Sequence, residues 1–369
     1  MTRPPETQRS NTMTTETQTL DQARVEAFMG KTLGEAAGLF ASVLAIVGDR
    51  LGLFGALADH GPASADELAE RAAVNERYAL EWLRGMHAAG SLELDGDGRF
   101  VLPAEHAQVL AAEGGPFFMA GAFELTYGYL QPIDRLIEAF RSGGGVPQSA
   151  YPQETWDGMC RFSRPFYNHL LVQQWIPAIN GLAERLERGA RWADIGCGAG
   201  HALIRLAETY PNSTFVGYDQ FEGQLELARR GAHDAGVQDR VRFDLLDAAG
   251  GIPERFDVIS TFDVIHDAID PEAVVTAIRR ALVDDGIYVL LEINSADDPA
   301  DNVGPLATLM YGCSLLYCMT TSLAHGGHGL GTCGLPPARV QELCRRAGFI
   351  IADRLAIEDP FNVLYEVRP

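Results

Sequence analysis

The chain has 369 residues, a formal net charge of −21 at pH 7, and 47% hydrophobic and 21% charged residues. That is the make-up of a globular protein long enough for two domains, and its acidity argues against nucleic acid or an anionic membrane as partner, since phosphates need Lys and Arg neighbours. Lys31 is the single lysine among 29 cationic side chains, which leaves none for a P-loop or a Schiff base in the core.

Residues 1–20 are rich in Thr and Gln and lack the apolar core of a secretory signal, so they read as a disordered tail. Residues 21–110 form a separate unit. Helical spacing runs through Leu39, Val43, Ile46, Val47 and Leu51, and Leu53–Leu57 belongs to a second helix. The apolar stretch Ala36–Ala58 is interrupted by Asp49 and Arg50, so a membrane-spanning helix is not expected. Ser64 and the acids Asp66 and Glu67 open a short helix, and Asn75 caps another over 76–89. Two strands around Asp95-Gly96-Asp97-Gly98 form a hairpin by their turn residues.

Helix, turn, helix and hairpin make a winged helix, which raises DNA binding as a rival function. The candidate recognition helix sets Arg77 and Arg84 against Glu76 and Glu81. The whole unit holds 7 Lys and Arg against 14 Asp and Glu. A groove reader needs a basic face. The apolar surface around Leu39–Leu57 suits pairing with a second copy of the chain instead.

Residues 111–180 are dense in aromatics and read as a helical linker that doubles as a lid. Pockets at domain junctions are lined by such side chains, and Tyr151, Trp156, Phe162 and Tyr167 are the candidates to touch an acceptor. Met310–Ala324 is too short to span a membrane and reads as a buried helix. The six cysteines show no paired spacing and point to a reducing, cytoplasmic setting. Cys313, Cys318 and Cys333 match no established zinc spacing.

The densest signal is Trp192-Ala193-Asp194-Ile195-Gly196-Cys197-Gly198-Ala199-Gly200, a buried strand entering a glycine turn. A dinucleotide fingerprint wants its third glycine at 201, where His201 stands. The turn therefore suits a ligand without phosphates that carries a zwitterionic amino-acid tail. A second strand ends at Asp219, where an acid accepts hydrogen bonds from ribose hydroxyls. A third leads to Asp247-Ala248, a fourth to Phe262-Asp263 and His266-Asp267, and a fifth to Glu292.

In this order and spacing the chain resembles the class I S-adenosylmethionine-dependent methyltransferases over roughly residues 180–369. The resemblance implies an α/β, Rossmann-like seven-stranded sheet ending in a reversed hairpin of Ile350–Ala352 and Val363–Val367. It implies that Asp194, Gly196, Gly198 and Gly200 hold the methionine part of the cofactor, Asp219 and Gln220 the ribose, and Asp247 and Ala248 the adenine. Phe262 would pack against the base or the sulfonium, and the product would be S-adenosyl-L-homocysteine. N-terminal domains of this type imply a homodimer in which each copy closes its partner's active site.

Methyl transfer is an in-line displacement in which positioning supplies much of the rate. A hydroxyl or acidic C–H acceptor must also lose a proton, and histidine is suited to take it. His266 resembles the catalytic histidine of small-molecule O-methyltransferases, with Asp267 beside it and Glu292 as the candidate partner acid. The aromatic usual after that His-Asp pair is replaced by Ala268. His325 and His328, with His266, are a candidate site for a divalent or ferric ion. The expected function is methylation of a neutral or cationic secondary metabolite, on oxygen first and on carbon or nitrogen second. A cofactor-sensing regulator that transfers nothing is the alternative.

Overall fold

The computed structural model describes residues 20–369; apart from Leu20, the expected tail lies outside the described residues. Asp21 caps a 29-residue helix, α1 (Gln22–Arg50), by accepting a hydrogen bond from the Arg24 amide. The chain leaves α1 through Gly52 at φ +67°, a conformation that favours glycine. It then enters α2 (Leu53–His60). A capping box of Ser64 and Glu67 starts α3 (Ala65–Ala72), and Asn75 caps α4 (Glu76–Ala88). Strands β1 (Glu93–Leu94) and β2 (Phe100–Val101) pair antiparallel as the wing, and Ala63 bridges to Phe100.

The apolar surface expected at Leu39–Leu57 divides in two. Leu53, Phe54 and Leu57 are buried with Leu68, Trp82, Leu83 and Met86 in the domain's own core. The exposed apolar row lies further back along α1 and includes Val25, Phe28, Met29, Leu33, Leu39, Phe40, Val43 and Val47. The helix begins well before the first periodic residue used to find it. Two stretches, α1 and Pro305–Ala324, are long and apolar enough to cross a membrane by length and composition. In the second, Tyr317, Cys318 and Thr320–Ser322 are buried in the protein.

Helix α5 (Ala104–Leu110) closes the N-terminal unit, and residues 111–180 are mainly helical: α6 (Ala120–Leu130), α7 (Ile133–Ser142) and α8 (Gln153–Phe166), the last running into a π-helical segment, Tyr167–Trp175. Helices α6 and α8 touch backbone to backbone. A Cβ on Gly158 would sit 2.3 Å from the Leu125 amide, so only glycine permits the approach. Arg161 ties α8 to Asp49 at the end of α1 (2.7 Å), to Glu113 (2.7 Å) and to Glu124 (2.7 Å). Asp49, read from sequence as an interruption in an apolar run, is an anchor between the two units.

Seven strands form one mixed sheet in the order β5-β4-β3-β6-β7-β9-β8: β3 (Arg191–Ile195), β4 (Thr214–Asp219), β5 (Val241–Leu245), β6 (Phe256–Phe262), β7 (Leu282–Ile293), β8 (Ile351–Leu355) and β9 (Asn362–Arg368). The pairs among β3 to β7 are parallel, and β9 runs antiparallel between β7 and β8. Both faces are buried, by Trp192, Phe215, Val258 and Leu291 on one side and Ile259, Ile278, Tyr288 and Tyr365 on the other. Near-continuous apolar strands are what a parallel sheet covered on both faces requires. The strand order reverses beside β3, so the crevice opens at the carboxyl ends of β3, β4 and β6.

Candidate active site

The glycine turn folds as its spacing demands. Gly196 (φ +72°) and Gly200 (φ +75°) are left-handed, and each faces a crowded neighbour. A Cβ on Gly196 would sit 2.7 Å from Val264, and one on Gly200 would sit 2.6 Å from the Phe243 ring. Gly198 differs. It is left-handed too, yet a Cβ there would meet nothing within 4 Å, so this part of the turn faces open space. The turn is pinned across the sheet by the Gly196 and Cys197 amides, which donate to the Tyr218 carbonyl at 2.8 and 3.1 Å.

Two buried carboxyls flank this opening. Asp194 accepts from Ser260 Oγ at 2.6 Å, and Ser260 in turn accepts from Trp192 Nε1 at 2.8 Å. Burial pushes the Asp194 carboxyl up to about 7, with nearby Asp219 adding to the shift against the Ser260 hydrogen bond. Asp219 ends β4 and takes the Gly198 amide at 2.9 Å and the Phe221 amide at 3.0 Å. Burial raises its pKa as well, opposed by those amides. Asp247 and Gln220 lie further out: both are exposed, Gln220 Nε2 approaches Asp247 Oδ1 at 3.4 Å, and Asp247 caps the Ala248–Gly250 turn. Ala248 is buried beneath them.

His266 sits in a single turn, Ile265–Asp267, just past β6 and 3% exposed. Its Nδ1 is 2.6 Å from Glu292 Oε2, and Glu292 Oε1 accepts from the Ile265 amide at 2.9 Å. The β6–β7 pairing brings these residues together, since it sets Phe262 opposite Leu291. Nε2 lies 3.2 Å from Asp267 Oδ1, a buried atom that takes no aligned hydrogen bond. Burial works to lower the histidine pKa, but the Asp267 and Glu292 carboxylates outweigh it and hold the imidazole well above its ordinary value. The site thus contains a strongly basic imidazole oriented by a buried acid.

Not every expected contact forms. Tyr151 is buried in a packed cluster with Tyr129 and Tyr317, and its hydroxyl donates to the Leu316 carbonyl, so it is core rather than acceptor lining. Phe262 lies against Tyr167 and Trp175 at 5.8 Å, within the packed core on one face of the sheet. Trp156 stacks on Phe221, two residues past Asp219, and Phe162 packs on Phe166 and Phe361. Those two and Tyr167 are half-buried. The proposed ion site at His266, His325 and His328 does not assemble. The two loop histidines are exposed, and among the described residues the ligand groupings around His266 involve neither. Nearness in sequence of the glycine-rich loop to the buried helix did not place it over His266.

Sequence reading missed several groups. Asp263, at φ +56°, is held by Asn362 Nδ2 at 2.6 Å, and burial, aided by Glu292, pushes its carboxyl up to about 7. Arg164 and His201 carry buried nitrogens, Nε and Nε2, that have no hydrogen-bond partner among the described residues. Burial and the Arg164 cation together lower His201 to about 4. Asp263 follows directly on a predicted strand end and was within reach of sequence reasoning. The Arg164–His201 pairing was not, because only the fold brings α8 against the glycine turn.

Comparison with known proteins agrees with this architecture. Residues 186–321 match the family described as "Methyltransferase domain", and residues 38–112 match the "Rv2258c-like winged HTH domain". The chain is 33% identical over 155 residues to the ubiquinone biosynthesis O-methyltransferase of Dinoroseobacter shibae, an overlap of 39% of this chain and 60% of that protein. It is 28% identical over 181 residues to the protein-lysine N-methyltransferase EFM4 of Saccharomyces cerevisiae, covering 43% of this chain and 76% of that one. In fold it is similar to the mitomycin 7-O-methyltransferase MmcR, with a TM-score of 0.70 at 18% identity over 94% of this chain and 99% of that one. It is likewise similar to human N-acetylserotonin methyltransferase in complex with SAM, with a TM-score of 0.71 at 16% identity over 95% and 99%. Residues 186–321 thus match a methyltransferase domain and residues 38–112 a winged helix-turn-helix domain that precedes it in the chain.

Proposed function

We propose that this chain is an S-adenosylmethionine-dependent methyltransferase of a small molecule, with oxygen as the preferred reading of the acceptor atom and carbon or nitrogen as the alternative. The observation that carries the reading is the His266–Glu292 pair at 2.6 Å, set past β6 beside a glycine turn and an acid-ended β4. The residues present fit the cofactor. The open space at Gly198 leaves room for a ligand against the backbone of the turn, and the unpartnered nitrogens of Arg164 and His201 offer donors to its carboxylate. Asp194 would take the ammonium, Asp219 and Gln220 the ribose, and Asp247 with Ala248 the adenine edge. When bound, the cofactor supplies an electrophilic methyl group on a cationic sulfur.

The chain's own residues do the rest. Trp156, Phe162 and Tyr167 line the acceptor side and exclude water. Glu292 holds Nδ1, so Nε2 takes the acceptor's proton as the new bond to carbon forms. Because two carboxylates hold the imidazole pKa up, this base works at the alkaline side of neutrality. The exposed α1 row supports a homodimer, and the reducing cysteine pattern supports a cytoplasmic setting. In α4, Arg77 is paired with Glu81 at 2.5 Å, which gives the DNA-binding alternative little positive charge to work with. The reading is tested by following label from methyl-labelled S-adenosylmethionine into a small-molecule extract.

A further inference from the structure

On the side of His266 away from Glu292 is a second group of donors. Cys318 Sγ, one ring nitrogen of His266 and one carboxylate oxygen of Asp267 lie within 4.8 Å of one another, with His266 Nε2 3.2 Å from Asp267 Oδ1. They come from two parts of the chain, the turn after β6 and the π-helical segment Ser314–Cys318. π-helical turns inside helices concentrate at functional sites, and this one is where the buried thiol enters the site. Two buried oxygens here have no hydrogen-bond partner among the described residues: Asp267 Oδ1 and Thr332 Oγ1, the latter on a residue 4% exposed. Thr332 also lies beside the Cys318 thiol. An orphaned buried acceptor costs free energy unless something occupies the space.

We propose that Cys318 Sγ, His266 Nε2 and Asp267 Oδ1 bind one zinc(II) ion, and that its occupancy withdraws His266 from proton transfer. This rests on the reading of His266 as the base. Sulfur, imidazole nitrogen and a carboxylate are the donors zinc prefers, and three protein ligands with an open fourth position is a familiar tetrahedral arrangement. Ideal zinc bond lengths place nitrogen and oxygen ligands about 3.4 Å apart, and Nε2 and Oδ1 are 3.2 Å apart here. Glu292 on Nδ1 supplies the carboxylate that commonly orients a metal-bound histidine. The Asp267 side chain is one third exposed, which gives the ion a route in. On binding, Cys318 releases its thiol proton and His266 its Nε2 proton to solvent as the Zn–S and Zn–N bonds form. No oxidation state changes.

The test uses the full chain, with cobalt(II) as spectroscopic probe and zinc(II) as competitor. One equivalent of cobalt should give a thiolate-to-cobalt absorption band that zinc abolishes, and Cys318→Ser should lose the band while Cys160→Ser keeps it. Zinc should lower methyl transfer at least tenfold in the unmodified protein and leave Cys318→Ser unaffected. A protein that gives no thiolate band, or whose band survives Cys318→Ser, overturns the site. A band with undiminished transfer overturns the withdrawal of His266. The spectrum reads the site even if no acceptor is methylated, so failure of the metal and failure of the methyltransferase reading are separable.

Discussion

Replacing Asp219 with Ala should cripple cofactor binding, whereas replacing His266 with Ala should spare it and slow the chemistry. Asp219 offers two carboxylate oxygens at the carboxyl end of β4, where each ribose hydroxyl can donate to one of them. A hydrogen bond to a charged group contributes about 1.5–3 kcal/mol. Losing two of these, and leaving the Gly198 and Phe221 amides without their acceptor, should cost on the order of 3 kcal/mol or more. That weakens the cofactor Kd by at least roughly a hundredfold. The contacts of His266 are with Glu292 and Asp267 and not with the Asp219 carboxylate assigned to the ribose, so His266→Ala should change Kd by less than about threefold while lowering kcat by about 10²–10⁴. Isothermal titration with S-adenosylhomocysteine reads the first quantity and steady-state methyl transfer the second. A thermal melt confirms that each variant folds, and Asp219→Asn, which keeps one acceptor, should fall between Ala and the native acid. Equal loss of binding in both variants, or none in Asp219→Ala, would refute this division of roles.

Cofactor affinity should depend on pH through Asp194. Its carboxyl is held up at about 7 in the free protein, and a bound ammonium favours the ionised form, so binding expels a proton below that value. Affinity should rise by up to about tenfold per unit as pH approaches 7 from below and flatten above it, and Asp194→Asn should give a weak, flat profile. The free protein should move in the opposite direction: a raised carboxyl pKa stabilises the fold at acid pH, and that contribution is lost as pH rises through 7, which melting curves of the native chain and Asp194→Asn will show. The rate of transfer should climb with pH into the alkaline range, because His266 must shed its proton first, and Asp267→Asn should shift that limb toward neutral pH. Gly200→Ala should lower the melting temperature more than Gly198→Ala, since both force an Ala to positive φ but only the former drives a Cβ into the Phe243 ring. Charges placed on α1, as in Phe28→Asp with Phe40→Asp, should turn a dimer into a monomer in sedimentation experiments without changing cofactor affinity.

Much of this architecture was legible because local chemistry and global fold agree. Gly196 and Gly200 announce left-handed turns, Ser64 with Glu67 and Asn75 announce helix starts, and the apolar strands announce a sheet buried on both faces. Asp219 and Glu292 could be placed because strand ends in a parallel sheet meet at one edge. What escaped depends on packing between distant segments. An aromatic in a linker, such as Tyr151, carries no sign of whether it faces an acceptor cavity or, as here, Tyr129 and Tyr317. His325 and His328 were grouped with His266 on residue type alone, and the loop that bears them turns outward. Leu53–Leu57 looked like part of an exposed face because helical spacing marks an apolar side without saying what covers it. Cys318 lies at the end of a π-helical turn beside His266, and no local residue pattern marks such a turn.

The most direct test of the account is a single-turnover reaction of the purified chain with methyl-labelled S-adenosylmethionine and a fractionated small-molecule extract, run beside His266→Ala and Glu292→Gln. Label should appear in one small product, with an equal amount of S-adenosylhomocysteine, and both variants should bind cofactor normally yet transfer at a small fraction of the native rate. Intact cofactor binding with no label transferred by the native chain, or transfer undiminished in His266→Ala, would contradict it.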